Sequence, residues 1–438
     1  MCHNELLFSE LFKKSKFYLK STMTAFTTSF LALLLLTTAL RLWLSRRHIS
    51  FIQAHRQRVP QAFSESISLD AHQKAADYSC AKTRLAMLET VASAALLLIL
   101  TVGGGLQALD SMWRSMLSEQ ELFRGAVVIL CTFAVTTLAD LPFDYYRAFV
   151  IDQRFGFNKM TSMMFFTDLL KHALIGLALG APLLFAALWL MQGAGSGWWF
   201  YLWLVWAGFS LLMLAIYPTF IAPLFNKFSP LADEALKTRI EQLLIKCGFK
   251  SQGLFVMDGS RRSSHGNAYF TGFGANKRVV FFDTLLERLA PEEIEAVLAH
   301  ELGHFKHRHV LKRVALLFAA SFVGLALLGW LKQAAWFYAG LGVAMPSDHM
   351  ALLLFLLVSP LFTFLLHPLL SLYARRNEFE ADAYAAKNAN AHRLIEALVK
   401  LYRDNASTLT PDPLHSAFYD SHPPASIRIS KLAALAGT

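Results

Sequence analysis

The sequence predicts a mostly α-helical, polytopic membrane protein with about seven transmembrane helices and a small cytoplasmic α+β part. Three observations carry that reading. Of 438 residues, 55% are hydrophobic and only 16% charged, whereas soluble domains run at about 45–50% apolar and about 25% charged. Seven apolar runs approach the ~20 residues that a helix needs to cross the hydrocarbon core. One long polar stretch, residues 223–312, separates the fifth run from the sixth. So much apolar material also excludes a disordered chain. Cys2, Cys80, Cys131 and Cys247 form no CxxC pair, so neither a disulfide scaffold nor a cysteine-ligated metal site is expected.

The spans are expected near Thr24–Leu44, Met87–Leu109, Phe123–Pro142, Leu169–Met191, Trp198–Ile221, Val314–Leu331 and Met350–Tyr373. The second and third carry Glu89 and Asp140 at their edges; the others are nearly free of charge. Lysine and arginine excess marks the cytoplasmic side of a membrane protein. Such residues gather after the first span (Arg46, Arg47, Arg56, Arg58), after the third (Arg147, Arg154, Lys159), in the long polar stretch and in the C-terminal tail. The opposite side has only Arg114, Arg124, Lys332 and an uncharged turn at Gly193–Gly197. Lys13, Lys14, Lys16 and Lys20 conflict with this orientation, and a start at Met23 would remove the conflict. The net charge of +10 is thus a topology signal, and no nucleic-acid partner is expected. The first apolar run is too long for a cleaved signal peptide.

Within the polar stretch, a helical pattern covers Asp233–Cys247 and short β-like runs cover Gly253–Met257 and Val279–Phe282. Asn267–Gly274 reads as a strand entering a glycine turn. Pro291-Glu292-Glu293 is a helix start, with proline and acids in the first turn. That helix reaches His300-Glu301-Leu302-Gly303-His304, an HExxH motif. Residues four apart share a helix face, so His300 and His304 can reach one metal ion. Zinc takes imidazole nitrogen and keeps one position for water in catalytic sites, and Glu301 then stands where it can remove the water's proton. Chance alone places an HExxH in roughly one such chain in fifty. Lys306, His307, Arg308 and His309 read as a polar helix face at the membrane surface.

A zinc site of this type needs a third protein ligand. After the seventh span come Glu378 and Asp382, four apart on one helical face. Glu378 can bind the metal while Asp382 accepts a hydrogen bond from a ligating histidine and sets its tautomer. Glu380 points elsewhere on the helix and is expected in solvent.

HExxH with a distal Glu-x-x-x-Asp in a seven-span chain resembles the type I CaaX prenyl protease family of integral-membrane zinc proteases. The resemblance extends to Leu141-Pro142-Phe143 through Gly156-Phe157-Asn158-Lys159, Ile216-Tyr217-Pro218 through Phe225-Asn226-Lys227, Asn267-Ala268-Tyr269-Phe270-Thr271-Gly272-Phe273, and His422-Pro423-Pro424 with Arg428 downstream. It implies a zincin-like (gluzincin) catalytic part, one Zn2+ per chain on His300, His304 and Glu378, and Glu301 as general base. It implies also that Asp382 supports a ligand and that His422 donates to the oxyanion. Asn267 and Ala268 would pair with an extended substrate backbone. Arg428, grouped with the substrate-binding residues, would bind a carboxylate near the site or brace Glu378. Ala374 stands where members commonly have Ser. Residues 1–222 would form an N-terminal membrane domain of about five helices. Residues 223–438 would form the peptidase domain, with the HExxH helix, two further spans and the C-terminal helices.

The expected activity is zinc-dependent hydrolysis of peptide bonds in prenylated C-termini or in membrane-associated or misfolded proteins. The partners are an extended peptide or protein, lipidated or not, and membrane lipids. The absence of long insertions and of an organelle-retention tail fits a bacterial inner-membrane member, with an endoplasmic reticulum location if the host is eukaryotic. The competing class is a non-catalytic transporter or metal-binding scaffold. Transporters place ionisable pairs near the bilayer midplane, whereas here the ionisable constellation sits at the ends of spans six and seven. His172 and His367 read as structural or chamber-lining, with no metal role.

Overall fold

A computed structural model describes residues 2–249, 253–271 and 278–436, with backbone only for residues 2–24 and Thr271. The side chains of Lys13, Lys14, Lys16 and Lys20 and the expected turn at Gly272–Gly274 lie outside the described residues. Long apolar sequences become long helices because backbone groups in hydrocarbon must be satisfied within the segment itself. Five such helices come first: α1 (Cys2–His55), α2 (Leu69–Leu100), α3 (Glu121–Tyr146), α4 (Ser162–Gly193) and α5 (Trp198–Ile216). Serine and threonine start two of them, Ser68 accepting from the Ala71 N–H and Thr161 from the Met164 N–H. The second half contains α6 (Glu234–Lys246), α7 (Pro291–Lys306), α8 (His309–Leu331), α9 (Asp348–Thr363), α10 (His367–Asn388), α11 (Ala391–Asp404) and α12 (Ala425–Ala436), beside short helical turns. Among the described residues, seven helical segments are long and apolar enough to cross a membrane, with α9 and α10 forming the seventh.

Most helices run past the expected span bounds at one end or both, and two of the differences have a plain local reason. The second span ends at Leu100, short of the expected Leu109, because Gly103–Gly105 follows and Gly104 takes φ +79°, which stops the helix. The seventh does not end at Tyr373. Nothing interrupts the helix after its apolar run, so α10 carries the polar segment Arg375–Lys387 onward to Asn388. That extension places Glu378 and Asp382 on a rigid rod anchored in the span.

The spans pack around one core that includes Phe30, Ile129, Leu188, Leu328, Tyr338 and Leu353. Their outer faces leave Leu35, Trp189 and Val323 exposed, as lipid-facing positions require. Between α1, α2, α3 and α9 lies a cavity of about 690 Å³ lined by Thr37, Arg41, Lys82, Glu89 and Asp140 among apolar residues. Glu89 and Asp140, expected at the edges of the second and third spans, and Arg41 of the first all border this space between helices, where ionisable groups in a membrane are commonly found.

The sheet-bearing part has its own core of Ile240, Phe281, Leu285, Ala299, Leu302 and Leu398. Strands β1 (Phe228–Pro230), β2 (Leu254–Met257), β3 (Ala268–Thr271) and β4 (Arg278–Phe282) lie in the order β1-β2-β4-β3. β2 and β4 are parallel and the two outer pairs antiparallel. β3, the strand after Asn267, is thus an edge among the described strands, paired on one side only, with Ala268 opposite Phe281 of β4.

Candidate metal centre

The HExxH helix begins as its sequence dictates. Pro291 occupies the first helical position, and the Glu293 carboxylate accepts from the Ala290 N–H at 2.7 Å. Lys400 of α11 pairs with Glu293 at 2.7 Å and ties that end of α7 to its neighbour. At the other end α7 packs on α10 with almost no separation at Gly303. This contact brings the face of His300 and His304 against the face of Glu378 and Asp382.

The structure brings these four side chains together. His300 Nε2 stands 3.2 Å from His304 Nε2 and 3.6 Å from Glu378 Oε2, and His304 Nε2 is 3.3 Å from Glu378 Oε1. Four-coordinate zinc with bonds of about 2.0–2.1 Å has ligand–ligand edges of about 3.3 Å. The three donors therefore already fit the spacing of a metal ion, and no other group of three such residues does so among the described residues. His300 and Glu378 are buried and His304 is half-buried.

The surrounding groups orient this set. Asp382 Oδ1 lies 2.9 Å from His300 Nδ1. Arg428 of α12 grips the same carboxylate through two bonds, Nε to Oδ2 at 2.8 Å and Nη2 to Oδ1 at 2.6 Å. Its Nη1 stands 3.6 Å from Glu378 Oε2. Arg428 is only 5% exposed and lies against the carboxylates of Asp382 and Glu378. His422 Nδ1 is 2.7 Å from Glu378 Oε2, with its side chain largely exposed at the rim. Asn267 is exposed just before the open edge strand, its Oδ1 taken by the Ala268 N–H at 2.8 Å. No described hydrogen bond joins Asn267 to the histidine–glutamate cluster.

Electrostatics follow from burial and these partners. Burial alone would depress the His300 imidazole, but the Asp382 and Glu378 carboxylates outweigh it and hold the metal-free pKa at about 9. Burial pushes the Glu301 carboxyl above its ordinary range, opposed by the nearby histidines. Burial acts against the Arg428 charge, yet the Asp382 pair raises its pKa overall.

Two features were not legible as part of the site. His309, assigned to a polar face, is 5% exposed and its Nδ1 lies 3.0 Å from His304 Nδ1. Glu380, expected in solvent, meets His309 Nε2 at 3.1 Å and Arg376 at 3.3 Å. The available signal was a further histidine five residues after the motif.

Comparison with known proteins agrees with this architecture. Residues 48–227 match the family described as CAAX prenyl protease N-terminal, five membrane helices, and residues 230–436 match Peptidase family M48. A CAAX prenyl protease 1 homolog of Oryza sativa subsp. japonica is 39% identical over 319 residues, 72% of this chain and 74% of that protein. CAAX prenyl protease 1 of Saccharomyces cerevisiae is 36% identical over 315 residues, 68% and 70% of the two chains. A homolog from Caenorhabditis elegans is 34% identical over 437 residues, 92% and 97%. The crystal structure of S. mikatae Ste24p superposes with a TM-score of 0.83 at 29% identity, covering 94% of this chain and 98% of that one. These matches leave the transporter and scaffold readings without support. With seven apolar helices, an HExxH helix and a family match across both halves, the chain belongs to the CAAX prenyl protease family and is a multi-pass membrane metalloendopeptidase.

Proposed function

We propose that His300, His304 and Glu378 hold one zinc ion per chain and that Glu301 is the general base of peptide hydrolysis. The spacing of the two imidazole Nε2 atoms from each other and from the two Glu378 carboxylate oxygens, 3.2–3.6 Å, carries this reading. A zinc ion held by these residues would supply Lewis-acid polarisation of a carbonyl and a more acidic water. Glu301 accepts that water's proton and returns it to the leaving amine. A carboxyl raised by burial suits the task, because a base works best with its pKa near the operating pH. Asp382 accepts the Nδ1 proton of His300 and so turns Nε2 toward the ligand cluster. Arg428 neutralises Asp382. His422, exposed at the rim, donates to the oxyanion as it forms.

The substrate is an extended peptide or protein. Asn267 and Ala268 pair with its backbone along the open edge of β3, which holds a chain through main-chain bonds. The relatives' CAAX prenyl protease names support prenylated C-termini as the substrate class, with membrane-associated or misfolded proteins as the second. Residues 1–222 serve as the membrane domain and residues 223–438 as the peptidase domain. The lysine and arginine distribution supports a site on the cytoplasmic side. That orientation is the same in a bacterial cell membrane, expected from the sequence, and in the endoplasmic reticulum of a eukaryote.

The test is zinc content and cleavage by the purified wild type beside Glu301→Gln in detergent. Both should hold about one zinc per chain, and only wild type should cut a panel of unstructured and farnesylated peptides. A wild type that holds no zinc sinks the reading.

A further inference from the structure

Both histidines of the HExxH motif need their Nδ1 atoms engaged if their Nε2 atoms are to face one ion. His300 does this directly through Asp382 at 2.9 Å. Among the described residues, no hydrogen bond or ion pair joins a carboxylate to Nδ1 of His304. In its place stands Nδ1 of a second imidazole, His309, at 3.0 Å. Two bare nitrogens would repel, so one of them carries the proton. With His304 Nε2 committed to the ligand cluster, its proton sits on Nδ1 and is donated to His309 Nδ1. His309, neutral and accepting there, then carries its own proton on Nε2 and donates it to Glu380 Oε2 at 3.1 Å. Glu380 accepts in turn from Arg376 Nε at 3.3 Å. One assignment of protons satisfies every link.

The backbone is built to make this link. Only His307 and Arg308 separate α7 from α8, and Arg308 adopts the left-handed conformation at φ +57°, unusual for a residue with a side chain. That turn lets the first residue of α8 fold back under the last turn of α7. His309 is buried, its ring 5.1 Å from that of His304 at 71° and stacked on His307. A merely solvated polar face would show none of these features.

We propose that His309 is a positioning residue for the metal centre: it fixes the His304 tautomer and couples the second motif histidine to Glu380 through an imidazole bridge. The inference rests on the zinc reading of His300, His304 and Glu378. It makes the working motif HExxH followed by a histidine five residues on, with two unlike supports for two like ligands.

The test uses the full chain in detergent, stripped with a chelator, then titrated with Zn2+ against a competing indicator and separately loaded with Co2+. His309→Phe keeps the ring but removes the acceptor; it should weaken zinc binding roughly 10–100-fold and alter the visible cobalt spectrum. His309→Asn can place its side-chain oxygen near the lost Nδ1 and should recover most of the affinity. Thermal melting of the metal-free variants separates packing loss from lost positioning. His309→Phe matching wild type in zinc affinity and cobalt spectrum overturns the proposal. So does His309→Asn failing to improve on Phe. Wild type that binds no zinc, or that keeps its affinity in His304→Ala, overturns the metal centre itself and this inference with it. Loss in His304→Ala without loss in His309→Phe overturns the inference alone.

Discussion

Gly303 of α7 lies directly on the Ala381 backbone of α10: a Cβ at Gly303 would stand 2.8 Å from Ala381 Cα and 3.1 Å from its carbonyl oxygen. Backbone cannot give way as a side-chain tip can, so the helices must separate to admit even a methyl group. Separation moves His300 and His304 away from Glu378. Gly303→Ala should therefore lower zinc affinity at least tenfold and destabilise the chain by about 1–3 kcal/mol, the usual cost of overpacking. Gly176→Ala on α4, where nothing lies within 4 Å, is the matched control and should change neither zinc titration nor thermal midpoint.

Arg428 and Asp382 form a buried charge pair, both 5% exposed or less. Removing one partner strands the other charge, which costs about 3–5 kcal/mol. Arg428→Met should therefore be severely destabilising in thermal or denaturant unfolding. The double variant Arg428→Met with Asp382→Asn should recover much of that loss. Additive losses in the double-mutant cycle would show that the pair does not act as a unit.

The His300 imidazole, held at about 9 in the metal-free chain, stands above its ordinary 6.5. The stabilisation this gives the metal-free fold is fully present below pH 6.5 and is lost as pH rises through about 9. Zinc needs the unprotonated nitrogen, so binding at pH 7 should release about one proton per ion from this residue. Affinity should rise about tenfold per pH unit from 7 toward 9 and then level off. Zinc titration in buffers of different ionisation enthalpy reads the released proton directly. A pH-independent affinity over that range would contradict the assignment.

His422, proposed as the oxyanion donor, stands exposed at the rim with Nδ1 2.7 Å from Glu378 Oε2, while the three proposed ligand residues lie on α7 and α10. His422→Gln should lower kcat by roughly 10²–10³ with zinc content unchanged. Loss of zinc together with activity would instead make His422 part of the ligand set.

Local periodicity determined a large share of this protein. Apolar runs of spanning length become helices whatever surrounds them, and the i, i+4 spacing of His300 and His304 places both on one face without tertiary help. The proline and acids at residues 291–293 start that helix for equally local reasons. Glu378 and Asp382 were legible as a facing pair, but their proximity to the histidines depends on the long contact of α10 with α7. That contact rests on a glycine whose significance lies in the helix opposite. Tertiary structure decided three further matters. It buried Arg428 beneath Asp382, because α12 returns under the site. It brought Arg41, Lys82, Glu89 and Asp140, from three separate helices, to the border of one cavity between spans. And it made His309 and Glu380 neighbours of the site, because a left-handed residue at Arg308 folds one helix start back on another helix end. Sequence spacing records which side chains share a face; which faces meet is settled by packing between segments distant along the chain.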